Sequence, residues 1–239
     1  MLLLRFLIVE LLKLRRSLAL LLVTTAPLFV MMICILIGLH DKRPVPLDRY
    51  ATSGAAFWAF AMLPLTVTAL SVLMAQMEHG PKTWDHLLAL PGARRWLFLA
   101  KALVMLALVA GMSAWLYALL RIGAVLVAAI HPVSGVLDTA GLRDMLAKMA
   151  AAAVMMCIIQ LWVALRFRSF VPPLILGIVG TFVAVIAAAA REGAYFPWLM
   201  PLHILSTEPA MQRMALAIGF AGGLATLAVM LVDLSRREA

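Results

Sequence analysis

Six runs of mostly apolar residues, at 18–39, 54–77, 97–120, 146–165, 171–190 and 214–234, leave this chain little choice of fold. About 20 such residues, wound as a helix, cross the roughly 30 Å hydrocarbon layer of a bilayer. Only helices and closed barrels satisfy every backbone donor and acceptor in that layer, and continuous rather than alternating apolar runs select helices. The expected fold is an all-α integral membrane protein with six transmembrane helices, forming one transmembrane domain over residues 1–239. A composition of 65% hydrophobic and 13% charged residues agrees with it.

What lies between the runs excludes several functions. No soluble segment approaches the roughly 100 residues of an ordinary catalytic or nucleotide-binding domain. Neither a GxxxxGK[ST] phosphate loop nor a Rossmann fingerprint is present. The chain is therefore expected to carry no cofactor, catalytic or metal site of its own, and chemical energy has to come from a separate protein. The net charge of +9 is spread over the ends of the runs and does not gather on one soluble face, so its anionic counterpart is membrane lipid and not nucleic acid. Basic residues favour the side that carries Arg5, Lys13, Arg15, Arg94, Arg95, Lys101, Arg166 and Arg236, which predicts a cytoplasmic location for both termini.

The segment between the second and third runs, QMEHGPKTWDHLLALPGARRWLFLAK, carries the sharpest local pattern. Gly80 and Pro81 interrupt the preceding helix, Pro81 suits the first turn of a new one, and Pro91 with Gly92 closes it. Trp84, Leu87, Leu88 and Leu90 recur at helical spacing as one apolar stripe, while Lys82, Asp85 and His86 lie elsewhere on the wheel. The stripe is too short to span. It reads either as a helix lying in the headgroup layer, anchored by Trp84, or as a coupling helix that docks into a cytosolic partner. Arg94, Arg95 and Lys101 then hold the third run at the inner interface.

Residues 2–17 mix leucines with Arg5, Glu10, Lys13, Arg15 and Arg16, and read as an amphipathic surface helix leading into the first run. At the opposite side, residues 191–213 hold an apolar centre broken by Pro197 and Pro201. Tyr195 and Trp198 suit an interface there, so this piece is expected to form a broken outer hairpin, as a belt anchor or an outer gate. Pro27 and Pro64 each remove a donor inside a run and are expected to bend it. Arg121 lies about 30 Å along a helix from Lys101, so it either snorkels to the outer interface, with residues 122–130 as an outer extension or loop, or faces a polar cavity.

The remaining polar and sulfur residues give weaker signals. Cys34 and Cys157 sit in apolar runs as small hydrophobes, without disulfide or metal spacing. Soft methionine thioethers select copper(I), but no MxxM ladder follows one run, and core packing is the stronger reading. Glu78, His79, Asp85, His86 and His203 lack the HExxH spacing of a helical zinc site, which argues against an intramembrane enzyme. Gly219 and Gly223 form a GxxxG pair that serves either a membrane scaffold or ordinary packing within the chain.

Taken together, the six runs, the amphipathic lead-in, the string Glu78, Trp84, Leu87, Leu88, Leu90, Pro91, Arg94 and Lys101, and the outer FPWLMP resemble the permease subunits of type-2 ABC exporters, and within them the branch of lantibiotic and bacitracin immunity. The resemblance implies a transport subunit and not an enzyme. It implies a separate cytosolic ABC ATPase that binds ATP and Mg, and a second copy or related permease subunit, in a bacterial inner membrane. Glu78, Lys82, Trp84, Leu87, Leu88, Leu90 and Arg94 would contact the ATPase; Tyr195, Pro197, Trp198 and Pro201 would belong to the outer hairpin. The implied cargo is an amphipathic or hydrophobic molecule such as an antimicrobial peptide, with copper-enzyme or cytochrome maturation, or a scaffold, as alternatives.

Overall fold

The computed structural model describes residues 2–15, 17–79 and 94–236. Among them, five helical stretches are long and apolar enough to cross a membrane: Leu18–His40, Leu47–Met77, Arg95–Ile130, Thr139–Arg166 and Pro209–Arg236. A sixth, Val171–Ala187, has 17 residues and a length of about 25 Å at 1.5 Å per residue. The chain is an all-α, multi-pass membrane protein.

The first helix, α1 (Leu2–Leu14), ends at a turn where the Ser17 hydroxyl donates to the Leu14 carbonyl, and α2 (Leu18–His40) follows. α3 (Leu47–Phe57) and α4 (Leu63–His79) form one crossing with a wide turn between them, and α5 (Arg94–Ile130) returns. α6 (Thr139–Ala152) and α7 (Val154–Arg166) make the next crossing, then α8 (Val171–Ala187). Short turns and α9 (Met200–His203) lead to α10 (Pro209–Leu216) and α11 (Gly223–Arg236). α5 is the spine: α1, α2, α6 and α11 all pack along it, while α4 packs against α7 and α8.

Helix lengths depart from the apolar runs. α5 continues unbroken past Arg121 to Ile130, so residues 122–130 are a helical extension and not a loop. Arg121 is exposed, its guanidinium 5.5 Å from the Tyr117 ring centroid, and it does not face an internal cavity. The second crossing starts at Leu47 and the fourth at Thr139, earlier than hydropathy alone suggests, because their first turns lie among polar residues. Asp138 caps α6 by accepting the Ala140 and Gly141 backbone N–H groups. The end that carries these starts is tied by a two-residue parallel ladder, Val45–Pro46 with Val133–Ser134, and by the Asp138 N–H donating to Asp48 Oδ1.

Prolines and small residues decide where the helices deviate. Pro64 lacks the N–H that an α-helix needs, and the turn ahead of it, Trp58–Met62, widens to a π geometry in which the Leu63 N–H reaches the Trp58 carbonyl. Pro27, by contrast, is carried within a continuous α2. A second π turn, Ala217–Gly222, lies beside the break at Ala153 between α6 and α7. The two irregular backbones meet there: a Cβ at Gly219 would lie 2.1 Å from the Ala152 carbonyl oxygen, and one at Gly223 would lie 2.6 Å from Val154 Cγ1. The GxxxG pair therefore packs the last crossing against the fourth within this chain.

This contact predicts opposite outcomes for two glycines. Gly219→Ala forces a backbone shift and is expected to cost about 1–3 kcal/mol, as overpacked sites do. Gly111→Ala, on the open face of α5 where a Cβ meets nothing within 4 Å, is expected to raise stability by up to about 1 kcal/mol through helix propensity. Thermal unfolding of the detergent-solubilised variants measures both.

Candidate functional site

Alternation of the crossings puts α1, the end of α4, the start of α5, the end of α7 and the end of α11 at one end of the bundle. That end holds the two helix ends that flank the segment singled out by its stripe, and a set of charges that hydropathy did not reveal. Lys82, Trp84, Leu87, Leu88 and Leu90 lie outside the described residues. Glu78 is in the last turn of α4 and Arg94 begins α5, so the two helices that flank the segment are fixed.

Seven residues into α5, Lys101 is fully buried, and its Nζ donates to Glu10 Oε2 of α1 at 2.7 Å. Lys13 donates to the other carboxylate oxygen at 3.0 Å. Glu10 is itself only 4% exposed. Lys101 was expected at the interface as an anchor; the structure turns it inward because α1 packs across the start of α5 and brings a carboxylate to it. α1 is amphipathic in an inverted sense. Its acid faces protein, while Leu4, Ile8, Leu11 and Leu12 face outward, the arrangement of a helix bathed in lipid. Charges removed from water persist only when paired and hydrogen-bonded, so the pair fixes where α1 sits.

A second polar contact stands at the same end. Asp233 of α11 accepts from Trp162 Nε1 at 2.9 Å and from the Arg166 guanidinium at 2.5 Å, both on α7. In the interior, Gln160 Nε2 donates to the Pro173 carbonyl and joins α7 to the first turn of α8. Asp233, Trp162 and Gln160 were not singled out from sequence. The available signal was the isolated acid: Glu10 among leucines and basic residues, and Asp233 as the sole carboxylate of the last apolar run.

At the opposite end, the broken hairpin consists of two short 3-10 turns, Arg191–Tyr195 and Pro197–Leu199, followed by α9. The structure separates the two aromatics expected together at an interface. Tyr195 is 65% exposed, whereas Trp198 is 5% exposed. The Trp198 indole lies against α8, where a Cβ on Gly180 would come within 2.6 Å of its ring, and it stacks on Phe196 with centroids 5.5 Å apart. Pro201 is buried beside it and Pro197 half-buried. His203, considered above as a catalytic candidate, donates from Nε2 to the Gly193 carbonyl at 3.3 Å and braces the hairpin. The hairpin folds back on the bundle because its irregular backbone needs protein cover at that depth.

Two ion pairs separate the electrostatics of the site from those of the surface. Lys101→Met leaves Glu10 buried with half its pairing and is expected to cost about 3–5 kcal/mol. Lys148→Ala breaks the exposed α6 pair with Asp144 and is expected to cost less than about 1 kcal/mol. Denaturation midpoints of the two purified variants check the contrast.

Comparison with known proteins bears on the same region. Residues 6–184 match the profile of the family described as ABC-2 family transporter protein, a stretch that runs from within α1 to within α8 and holds the Glu10–Lys101 pair and the segment between α4 and α5. No curated protein matches the chain. The match covers well over half of the sequence, and with the multi-pass helical fold it leads to one conclusion: the chain belongs to the ABC-2 transporter family, as a membrane permease of an ABC transporter.

Proposed function

We propose that this permease is the transmembrane subunit of an ATP-driven exporter whose motor is a separate cytosolic ABC ATPase, holding ATP and Mg, that docks on the segment between α4 and α5. Permeases of this family work with ABC ATPase partners. The observation that carries the docking site is the placement of α1: a buried ion pair ties it to the base of α5, seven residues beyond the point where that segment ends. A push on the segment from the aqueous side is thereby opposed by an anchored helix on the lipid side. Trp84, Leu87, Leu88 and Leu90 supply the apolar contact and Glu78, Lys82 and Arg94 its polar rim. Work is done because the ATPase binds inward-facing and outward-facing forms with different affinity, and only that difference shifts their populations.

In this reading the end bearing α1 faces the cytoplasm of a bacterium and both termini lie inside, in accord with the basic bias of that end. The chain is one transport domain and works with a second copy or a related permease subunit. Its cargo is amphipathic or hydrophobic, of the antimicrobial-peptide or antibiotic kind, handled as in the lantibiotic and bacitracin immunity branch; the hairpin with Tyr195, Pro197, Trp198 and Pro201 closes the outer end. Copper handling gains no support from the methionines: Met74, Met105, Met112, Met149 and Met156 are buried in the core, where a flexible thioether fills space.

Trp84→Ala tests the docking role. A tryptophan at the centre of an interface commonly accounts for 2 kcal/mol or more, so the variant is expected to weaken ATPase association about 30-fold and to lose permease-stimulated ATP turnover. Co-purification and ATP hydrolysis in proteoliposomes measure the two effects. Unchanged pairing and turnover would overturn the proposal.

A further inference from the structure

The groove between α2 and α3, at the end of the bundle opposite α1, encloses a cavity of about 480 Å³. Its walls are Ile33, Ile37 and Gly38 of α2 and Tyr50, Ser53 and Phe57 of α3. Asp41 and Arg49 stand at its rim, each exposed, the first just past the end of α2 and the second in the first turn of α3. Asp41 Oδ1 accepts the Arg43 backbone N–H at 3.1 Å. Among the described residues neither Asp41 nor Arg49 forms an ion pair. The slot is thus mostly apolar, with Ser53 on one wall, and bears one positive and one negative side chain at a single end.

We propose that this slot holds one chain of a zwitterionic, primary-amine phospholipid of the phosphatidylethanolamine type, with its phosphate on the Arg49 guanidinium and its ammonium on the Asp41 carboxylate. Size and charge select this occupant. The volume lies within the roughly 300–1,000 Å³ of small-molecule pockets. It equals only about three to four residues of a helix 10–12 Å across, too little for a partner helix. An Arg fork fits a phosphate, and a carboxylate fits an ammonium that donates hydrogen bonds. An anionic phosphatidylglycerol satisfies Arg49 but leaves Asp41 facing a like charge. Ile37, 66% exposed, marks the side open to the bilayer, from which an acyl chain enters without leaving hydrocarbon. The lipid then fills the seam between the first two crossings, at the level of the ladder that ties their outer connection to the one between the third and fourth crossings.

The test uses the full chain, delipidated and placed in nanodiscs containing equal amounts of phosphatidylethanolamine and phosphatidylglycerol, with retained lipid counted by native mass spectrometry. The wild type is expected to retain phosphatidylethanolamine preferentially. Ser53→Trp, an exposed position that fills the slot, is expected to reduce that retention about tenfold, and Asp41→Lys to shift preference toward phosphatidylglycerol. Arg49→Ala, away from the core, is expected to weaken retention of both lipids while thermal unfolding without lipid stays unchanged. Equal retention of the two lipids by the wild type, or undiminished retention by a folded Ser53→Trp, overturns the proposal. So does loss of oligomer mass in Ser53→Trp with lipid retention intact, which would assign the slot to a second copy.

Discussion

Inside hydrocarbon every backbone N–H and C=O has to find a partner within the protein, and the rest of this structure follows from how that demand is met. Most of the chain meets it by simple helices. Where it departs, the irregular backbone is covered: the π turn before Pro64 packs against α2, α8 and the outer hairpin, and the π turn of the last crossing lies on the Ala153 break. Gly219 and Gly223 allow that second meeting because anything larger would strike the Ala152 carbonyl or Val154. Irregularity and close approach are thus one arrangement, with each break covered by a neighbouring element.

Charge follows a similar logic at the two ends. Near α1, carboxylates are paired across elements, the buried Glu10 with Lys101 and the half-exposed Asp233 with Arg166 and Trp162. A buried ion pair adds little net stability against an apolar substitute, but it fixes register, since either partner alone is costly. At the other end the polar groups cap and tie connections, as Asp138 and Asp48 do, and leave Asp41 and Arg49 outward. The first end holds helices in fixed relation, and the second ties loops and a folded-back hairpin.

Much of the fold was legible because lipid imposes a strong pattern. Apolar runs located the crossings, and the two prolines of the hairpin marked its breaks. The candidate site was legible only in part. The apolar stripe read from spacing lies outside the described residues, and the Lys101 partner was not legible, because Glu10 precedes it by 91 residues and no local pattern links them. Trp198 was misplaced for a related reason. Aromatic residues near a span end suit an interface, and only the missing side chain at Gly180 made room for the indole inside.

The sequence by itself determined that the chain is a helical membrane protein, because hydropathy and segment length depend on residue type and order alone. Tertiary structure decided which charges are buried, which glycines are contacts and which aromatic faces inward. Those outcomes depend on what a distant element brings to within a few ångströms, and a one-dimensional pattern does not carry that distance.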